Sequence, residues 1–299
     1  MNPRPIPVTP MPGDAMSDGP VHEAAPPSGA APDGMPGAAQ HDRVVPEGAF
    51  VKRRPDAPET FFAWEAAGLR WLGAAEAAGG VAVVGVREVG ERHIVLDRID
   101  EAPAPARAAE RFGRALAATH ACGAAAFGAG PSGWSGVGFI GRQELALQPF
   151  SRWGEFYATI RLLPYARAAR RARTLTEAGL KIVQQLCEAL IAGRFDDGRP
   201  PARIHGDLWG GNLLYTARGA ELIDPAAHGG HGLTDLAMLS LFGTQHLDRV
   251  QFAYAEAAGL PADWWQLLGL HQLHPLLVHA VTHGPSYGRQ AHEVATGYI

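Results

Sequence analysis

Short apolar runs dominate the chain up to about residue 100. They predict three β-strands, at Gly48–Arg53, Val81–Val86 and His93–Ile99, and the turn between the last two predicts an antiparallel pair. Between the first two strands, aromatic and leucine side chains at helical spacing predict a helix from about Pro58 to Ala78. This part of the chain is therefore expected to form a small sheet with one long helix.

Helical periodicity replaces the short runs beyond a proline-rich break at residues 101–106. The predicted helices span Arg107–His120, Trp153–Leu163, Glu177–Ala192, Thr234–Phe242, Leu247–Ala258 and Pro261–Ala280. The pattern predicts an α+β protein with an N-terminal lobe of residues 1–100 and a larger, mainly helical lobe of residues 101–299.

The first fifty residues have a different composition, because they hold 11 of the 24 prolines. Within them, residues 24–45 consist mostly of Ala, Pro and Gly and offer few side chains that could pack, which predicts a disordered insertion.

Composition excludes several classes of protein. Hydrophobic residues make up 46% of the 299 residues and charged residues 19%, which is typical of a globular protein, and no apolar run is long enough for a membrane span. The net charge of -4 indicates no general affinity for nucleic acid or anionic lipid. The absence of a signal-peptide pattern at the start and the presence of only two cysteines favour a cytoplasmic protein, which we expect to be a monomer.

Two side chains in the N-terminal lobe stand out against this background. Lys52 and Lys181 are the only lysines among 26 basic residues. Lys181 follows a capping-box pattern and is expected on a helix surface, whereas Lys52 lies on the first predicted strand. Glu65 falls on the apolar face of the predicted helix, where a carboxylate needs a partner.

The strongest chemical signal lies between two helices of the second lobe. Ile204–Tyr215 reads Ile-His-Gly-Asp-Leu-Trp-Gly-Gly-Asn-Leu-Leu-Tyr, and Ala220–Pro225 reads Ala-Glu-Leu-Ile-Asp-Pro. A hairpin turned at residues 217–219 would bring Asn212 beside Asp224, while Asp207 stands just upstream on a glycine-rich loop.

Two carboxylates and one amide placed together suit phosphoryl transfer. This chemistry needs metal ions on the phosphate chain and a carboxylate that orients the attacking hydroxyl and takes its proton. Asn212 and Asp224 offer the hard oxygen ligands that suit Mg²⁺, which leaves Asp207 to face the acceptor. Lys52, held by Glu65, could then sit between phosphate oxygens.

Two other interpretations start from histidines and arginines. His205, His228 and His231 lie near Asp207 and Asp224 in the sequence, so a metal-dependent hydrolase is an alternative, although a glycine loop does not fix two imidazoles as a helix face would. A basic run extends over Arg161, Arg167, Arg170, Arg171 and Arg173. We expect it to form a solvated helix face, with contact to an acidic substrate as the alternative.

The motifs quoted above, together with Thr234–Gly243, closely resemble those of the fructosamine kinase family, which is related to aminoglycoside and choline kinases. Trp209 and the Asp-Pro-Ala sequence at residues 224–226 distinguish this family from aminoglycoside phosphotransferases. Further similar stretches extend the resemblance over most of residues 48–290.

The resemblance implies a bilobal protein-kinase-like fold that uses ATP and Mg²⁺. Asp207 would be the catalytic base, Asn212 and Asp224 the metal ligands, Lys52 the phosphate-binding residue with Glu65 as its partner, and Asp235 a brace of the catalytic loop. We also expect nucleotide contacts at Gly13, Asp97 and Ile99, and acceptor contacts at Trp209 and His205.

The implied acceptor is a ketosamine, which is a sugar joined to an amine or a protein by glycation. Phosphorylation at the third carbon of the sugar makes the adduct fall apart later, so the implied role is protein repair. A related kinase acting on an aminoglycoside or choline-like compound, and a catalytically weak binding protein with this fold, are the alternatives.

The sequence departs from the family pattern in two places. Gly232 and Leu233 stand where the family usually has Arg-Glu, and the counterpart of the glycine-rich phosphate loop, Pro12–Ser17, keeps a single glycine, Gly13. The second departure predicts an altered cover over the nucleotide.

Overall fold

The computed structural model describes residues 47–299 of the chain. Its N-terminal part is an antiparallel sheet in the order β1 (Ala49–Arg53), β4 (His93–Asp97), β3 (Val86–Val89). Helix α1 (Phe61–Gly73) packs on this sheet, and Phe62 and Leu69 join its apolar core. The predicted long helix is therefore present in a shorter form, and a separate 3₁₀ turn follows it.

The predicted strand Val81–Val86 is divided between two sheets, which corrects the expected hairpin. Only β3, which begins at Val86, pairs with β4, whereas β2 (Ala82–Val83) pairs in parallel with β9 (Ala220–Leu222). The strand breaks at Gly85, whose carbonyl accepts the Asp97 N–H and whose missing side chain leaves room for the Asp97 carboxylate. Strand β2 thereby joins the N-terminal part to the hairpin that carries the polar motif.

The second part of the described chain is mainly helical. Its helices are α2 (Ala106–Ala121), α3 (Trp153–Phe156), α4 (Leu163–Arg171), α5 (Glu177–Ile191), α6 (Leu233–Phe242), α7 (Leu247–Ala257), α8 (Leu268–Thr282) and α9 (Pro285–Thr296). Most agree with the predicted helices to within a few residues. Helix α9 was not predicted, because its fully buried positions, Gly288, Ala291 and Ala295, hold only small residues and give no clear apolar pattern.

The chain between α3 and α4 forms a π-helical segment, Tyr157–Leu162, so that the predicted helix continues to Arg171. Arg161 lies in this segment and is 1% exposed, which corrects its expected place on a solvated face. Its Nη1 donates to the Ala146 carbonyl at 2.8 Å, and its guanidinium lies 4.8 Å from the centre of the Phe156 ring. By contrast, Arg167, Arg171 and Arg173 are exposed as expected.

Several three-residue strands complete the second part. Strands β5 (Gly138–Ile140) and β6 (Gln143–Leu145) form a hairpin, β7 (Ala202–Ile204) pairs with β10 (His228–Gly230), and β8 (Leu213–Tyr215) pairs with β9. Only the β8–β9 hairpin was predicted. A strand of three residues is too short for an alternating pattern to reveal it.

No helix within residues 47–299 has both the length and the apolar character to cross a membrane. Gly13 and the predicted insertion at residues 24–45 lie outside the described residues.

Candidate active site

The ammonium group of Lys52 lies at the centre of the site. Its Nζ is 2.9 Å from Glu65 Oε2 and 2.8 Å from Asp224 Oδ1, so a strand, a helix and the segment after β9 meet at one cation. Lys52 is 6% exposed and Glu65 4% exposed. The sequence prediction that Glu65 would pair with Lys52 agrees with this geometry.

Asp224 occupies an uncommon backbone conformation directly after β9. Its φ is +53°, in the left-handed region that few residues other than glycine adopt. On one side the Ile223 N–H donates to the Asn212 carbonyl at 3.2 Å, and on the other the Lys52 ion pair holds the carboxylate. The side chain remains 31% exposed, so its oxygens can reach a ligand.

Asn212 joins the two arms of the hairpin, as predicted. Its Nδ2 donates to the backbone carbonyls of Asp207 at 2.8 Å and Asp224 at 3.4 Å. Because the amide nitrogen is used in this way, the amide oxygen is the group left to face a cation.

The backbone that leads to Asp207 is held by a buried carboxylate. Asp235 accepts the His205 N–H at 2.7 Å and the Gly206 N–H at 2.9 Å. His120 Nε2 also donates to Asp235 at 3.0 Å, and the Tyr254 hydroxyl lies 2.8 Å from the other ring nitrogen of His120. A chain of hydrogen bonds thus connects helices α7, α2 and α6 to the loop.

Each of the three histidines of the alternative metal site is already engaged within the protein. His205 accepts the Asp207 N–H at Nδ1 and donates from Nε2 to the Ile223 carbonyl, and His228 donates to the Ala226 carbonyl. His231 lies 3.1 Å from Asp197. Within the described part of the chain, no group of three or more His, Cys, Asp or Glu side chains is placed to hold a metal ion.

Burial and charge set the protonation of the central groups. Burial opposes the charged form of Lys52, but the carboxylates of Glu65 and Asp224 outweigh it and raise the pKa of Lys52. Burial raises the pKa of Glu65 to about 7 in spite of the ammonium beside it. Burial, with the neighbouring carboxylates of Asp224 and Asp235, raises the pKa of Asp207 to about 7. A carboxylate with a pKa near neutrality suits proton transfer.

Comparison with known proteins assigns this arrangement to a family. A family model described as fructosamine kinase matches residues 39–299. The chain belongs to the fructosamine kinase family. It is therefore a phosphotransferase with an alcohol group as acceptor, as predicted, and membership of a kinase family implies ATP as the phosphoryl donor.

Individual relatives agree with this assignment. A probable ketoamine kinase of Thermus thermophilus is 33% identical, over 82% of this chain and 86% of that protein. The crystal structure of a candidate fructosamine-3-kinase from Thermobifida fusca has a TM-score of 0.76 and 45% identity, with 84% of this chain and 85% of that chain covered.

A choline/ethanolamine kinase family protein from Mesorhizobium loti shares the fold alone. Its TM-score is 0.54 at 15% identity, with 84% of this chain and 82% of that chain covered. The predicted α+β, bilobal kinase-like fold is therefore confirmed.

The residues of this fructosamine kinase family member fit the cofactors of a kinase. Asn212 and Asp224 present one amide oxygen and one partly exposed carboxylate, the donor types that Mg²⁺ prefers. Lys52 is the buried cation beside them, at a position suited to phosphate oxygens.

The remaining predicted contacts lie around this centre. Trp209 is partly buried and its ring covers Gly211, where an added Cβ would clash with the ring. Asp97, at the end of β4, pairs with Arg87 at 2.6 Å, and Ile99 packs against the N-terminal apolar core. His205 has no ring nitrogen left for a substrate, so the geometry favours a positioning role over the predicted acceptor contact.

Sequence reasoning missed His120 and Tyr254, which extend the brace behind Asp207. A signal was present in the sequence: His120 follows Phe112 and Leu116 at four-residue spacing, so it lies on the apolar face of α2, as Glu65 does on α1.

Proposed function

We propose that this protein is an ATP- and Mg²⁺-dependent ketosamine kinase that phosphorylates a sugar hydroxyl of a glycated amine or glycated protein, in a deglycation-repair role. The observation that supports it most directly is the meeting of Lys52, Asp224 and Asn212 beside the loop of Asp207. These are the residue types that phosphoryl transfer requires, and they come from both lobes.

Each residue has a defined part in this proposal. Asp207 accepts the proton of the attacking hydroxyl: Asp235 holds the backbone of the two residues before it, His205 and Gly206, and its pKa is raised to about 7. Asn212 and Asp224 hold the metal ion. Lys52 would bind phosphate oxygens, and its ion pair with Glu65 would keep the ammonium group in place. Bound Mg·ATP supplies the phosphoryl group and neutralises charge on its phosphates.

The acceptor is a further part of the proposal. Trp209 stands two residues after the proposed base and is partly exposed, so its ring is available to pack against the sugar. The names of the two relatives above, a ketoamine kinase and a fructosamine-3-kinase, support a ketosamine as this sugar.

A kinase assay on ribose- and fructose-modified lysine tests the proposal. Asp207→Asn should lower kcat by about 10²- to 10⁴-fold, because it removes the proton acceptor. Binding of Mg·ATP, measured by calorimetry, should persist. Asp248→Asn is the matched control, since Asp248 is exposed and its one ion pair within the described part of the chain is with the neighbouring Arg249.

Two results would contradict the proposal. Unchanged turnover in Asp207→Asn would remove the proposed base. Wild-type turnover on choline-like or aminoglycoside acceptors, with none on any glycated amine, would leave a kinase but replace the acceptor.

A further inference from the structure

Helix α1, which carries Glu65, is tied to the helical lobe through the residue before it. Trp64 is 2% exposed, and its indole N–H donates to the Phe139 carbonyl of strand β5 at 2.9 Å. The ring lies directly on Gly138, where an added Cβ would approach it to 2.7 Å. Strand β5 therefore fits this indole closely and leaves no room for a side chain at Gly138.

The β5–β6 hairpin is itself held from the helical side. The Tyr165 hydroxyl donates to the Glu144 carbonyl at 3.0 Å, and Arg161 donates to the Ala146 carbonyl at 2.8 Å. Arg161 is fully buried, so it cannot follow a moving surface loop without losing its place in the core. The hairpin is thus held by the helical lobe, and the hydrogen bond of Trp64 holds α1 against the hairpin.

The same helix also packs beside the proposed metal ligand. A Cβ at Gly68, one turn after Glu65, would lie 3.1 Å from Pro225 and 3.2 Å from Ala227. Ala226, between them, belongs to the apolar cluster of Trp64, Phe139 and Leu145. The hairpin, α1 and the segment after Asp224 therefore form one packed unit around the Lys52 ion pairs.

We propose that Trp64 is a positioning residue for phosphate binding: by bonding α1 to the β5–β6 hairpin it keeps Glu65 paired with Lys52. The proposal rests on the proposed function, because it assigns Lys52 to the phosphates. Its physical basis is that a buried ion pair offsets its desolvation only when its geometry is maintained. A small rotation of α1 would move Glu65 away from Lys52 Nζ, which lies 2.9 Å from it.

The first test measures Lys52 itself and needs no catalysis. Because Lys52 and Lys181 are the only lysines, acylation by an amine-reactive ester followed by peptide mass spectrometry reports each separately, with the exposed Lys181 as internal reference. Trp64→Phe removes the indole N–H and should raise the labelling rate of Lys52 relative to Lys181 by about fivefold. This is the factor by which losing one net hydrogen bond changes an equilibrium.

Two further variants separate positioning from loss of packing. Trp134→Phe is the matched control. The Trp134 ring contacts the Trp64 ring, but its indole N–H donates within its own loop, to the Val137 carbonyl. It should leave Lys52 labelling unchanged. Gly138→Ala displaces the Trp64 ring from the hairpin side and should act like Trp64→Phe. Labelling is done well below the unfolding midpoint of each variant.

The second test is kinetic. Trp64→Phe should raise KM for ATP by about fivefold and leave KM for the acceptor within about twofold. In a Glu65→Gln background the same substitution should add little, because residues that act through one another are not additive.

The proposal is overturned if Lys52 labelling in Trp64→Phe and Gly138→Ala equals that of the wild type, or if the effects of Trp64→Phe and Glu65→Gln simply multiply. If labelling rises as expected while no glycated amine is phosphorylated, the positioning role stands and the acceptor assignment fails. The two proposals therefore fail separately.

Discussion

Single residues in this site hold conformations and charges that the rest of the structure must maintain. Asp224 has a positive φ, and backbone strain of this kind persists only where the surroundings determine it. Glu65 is a buried carboxylate whose Oε1 has no hydrogen-bond partner among the described residues. The ammonium group of Lys52 is the counter-ion of both carboxylates and holds them in place.

The protonation of Asp207 predicts the pH dependence of the reaction. As the proposed general base, Asp207 must be ionised to act, and burial with two neighbouring carboxylates raises its pKa to about 7. The value of kcat/KM for the acceptor should therefore fall as the pH drops below about 7 and level off above it. Rates measured from pH 5.5 to 8.5, with protein stability followed at each pH, check this. A flat profile across neutrality would contradict the assignment.

At the scale of elements, close helix packing supports the site from behind. Helices α2 and α7 cross at Gly113, where an added Cβ would clash with the Val250 carbonyl. The same two helices carry His120 and Tyr254, which continue the hydrogen bonds from Asp235. The absence of a side chain at Gly113 therefore allows the close packing of the two helices that support the loop carrying Asp207.

Gly113→Ala tests this packing, because loose and tight packing predict opposite changes in the free energy of unfolding. In an unobstructed helix the change would stabilise by up to about 1 kcal/mol, because alanine favours helix. Here the methyl group meets backbone, so we expect a loss of about 1–3 kcal/mol in the free energy of unfolding. Urea denaturation of both proteins measures it. An increase in stability would show that the two helices separate freely.

At the scale of the whole molecule, several histidines are buried in the neutral form. Burial lowers the pKa of His205, His228, His271, His274 and His279, and that of His279 falls to about 4. Three of them lie on α8 in the core of the helical lobe. The unfolded chain binds protons at these positions near pH 6.5 and the folded chain does not, so stability is lost as the pH falls below 6.5.

His279→Gln isolates one of these contributions. The glutamine amide can still donate to the Pro275 carbonyl, as His279 Nδ1 does, but it does not titrate. Between pH 7 and 4.5 the variant should lose about 2–3 kcal/mol less stability than the wild type. The partly exposed His292, on α9, provides the control His292→Gln.

The raised pKa values of Glu65 and Asp207 act in the opposite direction, but they are present in all three proteins and cancel in the comparison. Equal losses in His279→Gln and the wild type would disprove the neutral buried form of His279.

The sequence by itself indicated most of the long helices and the residues that meet around Lys52, because both leave local signals. Periodicity marks a helix, and Lys52, Glu65, Asp207, Asn212 and Asp224 stand in an order that the resemblance and the chemistry both single out. The hairpin turn alone was enough to bring Asn212 beside Asp224.

Only the tertiary structure decided which distant segments support that site. The parallel pairing of β2 with β9 and the bond from Trp64 to Phe139 join residues 75 or more positions apart. Local sequence patterns do not identify these partners, because the pairing of distant segments depends on the packing of the whole chain.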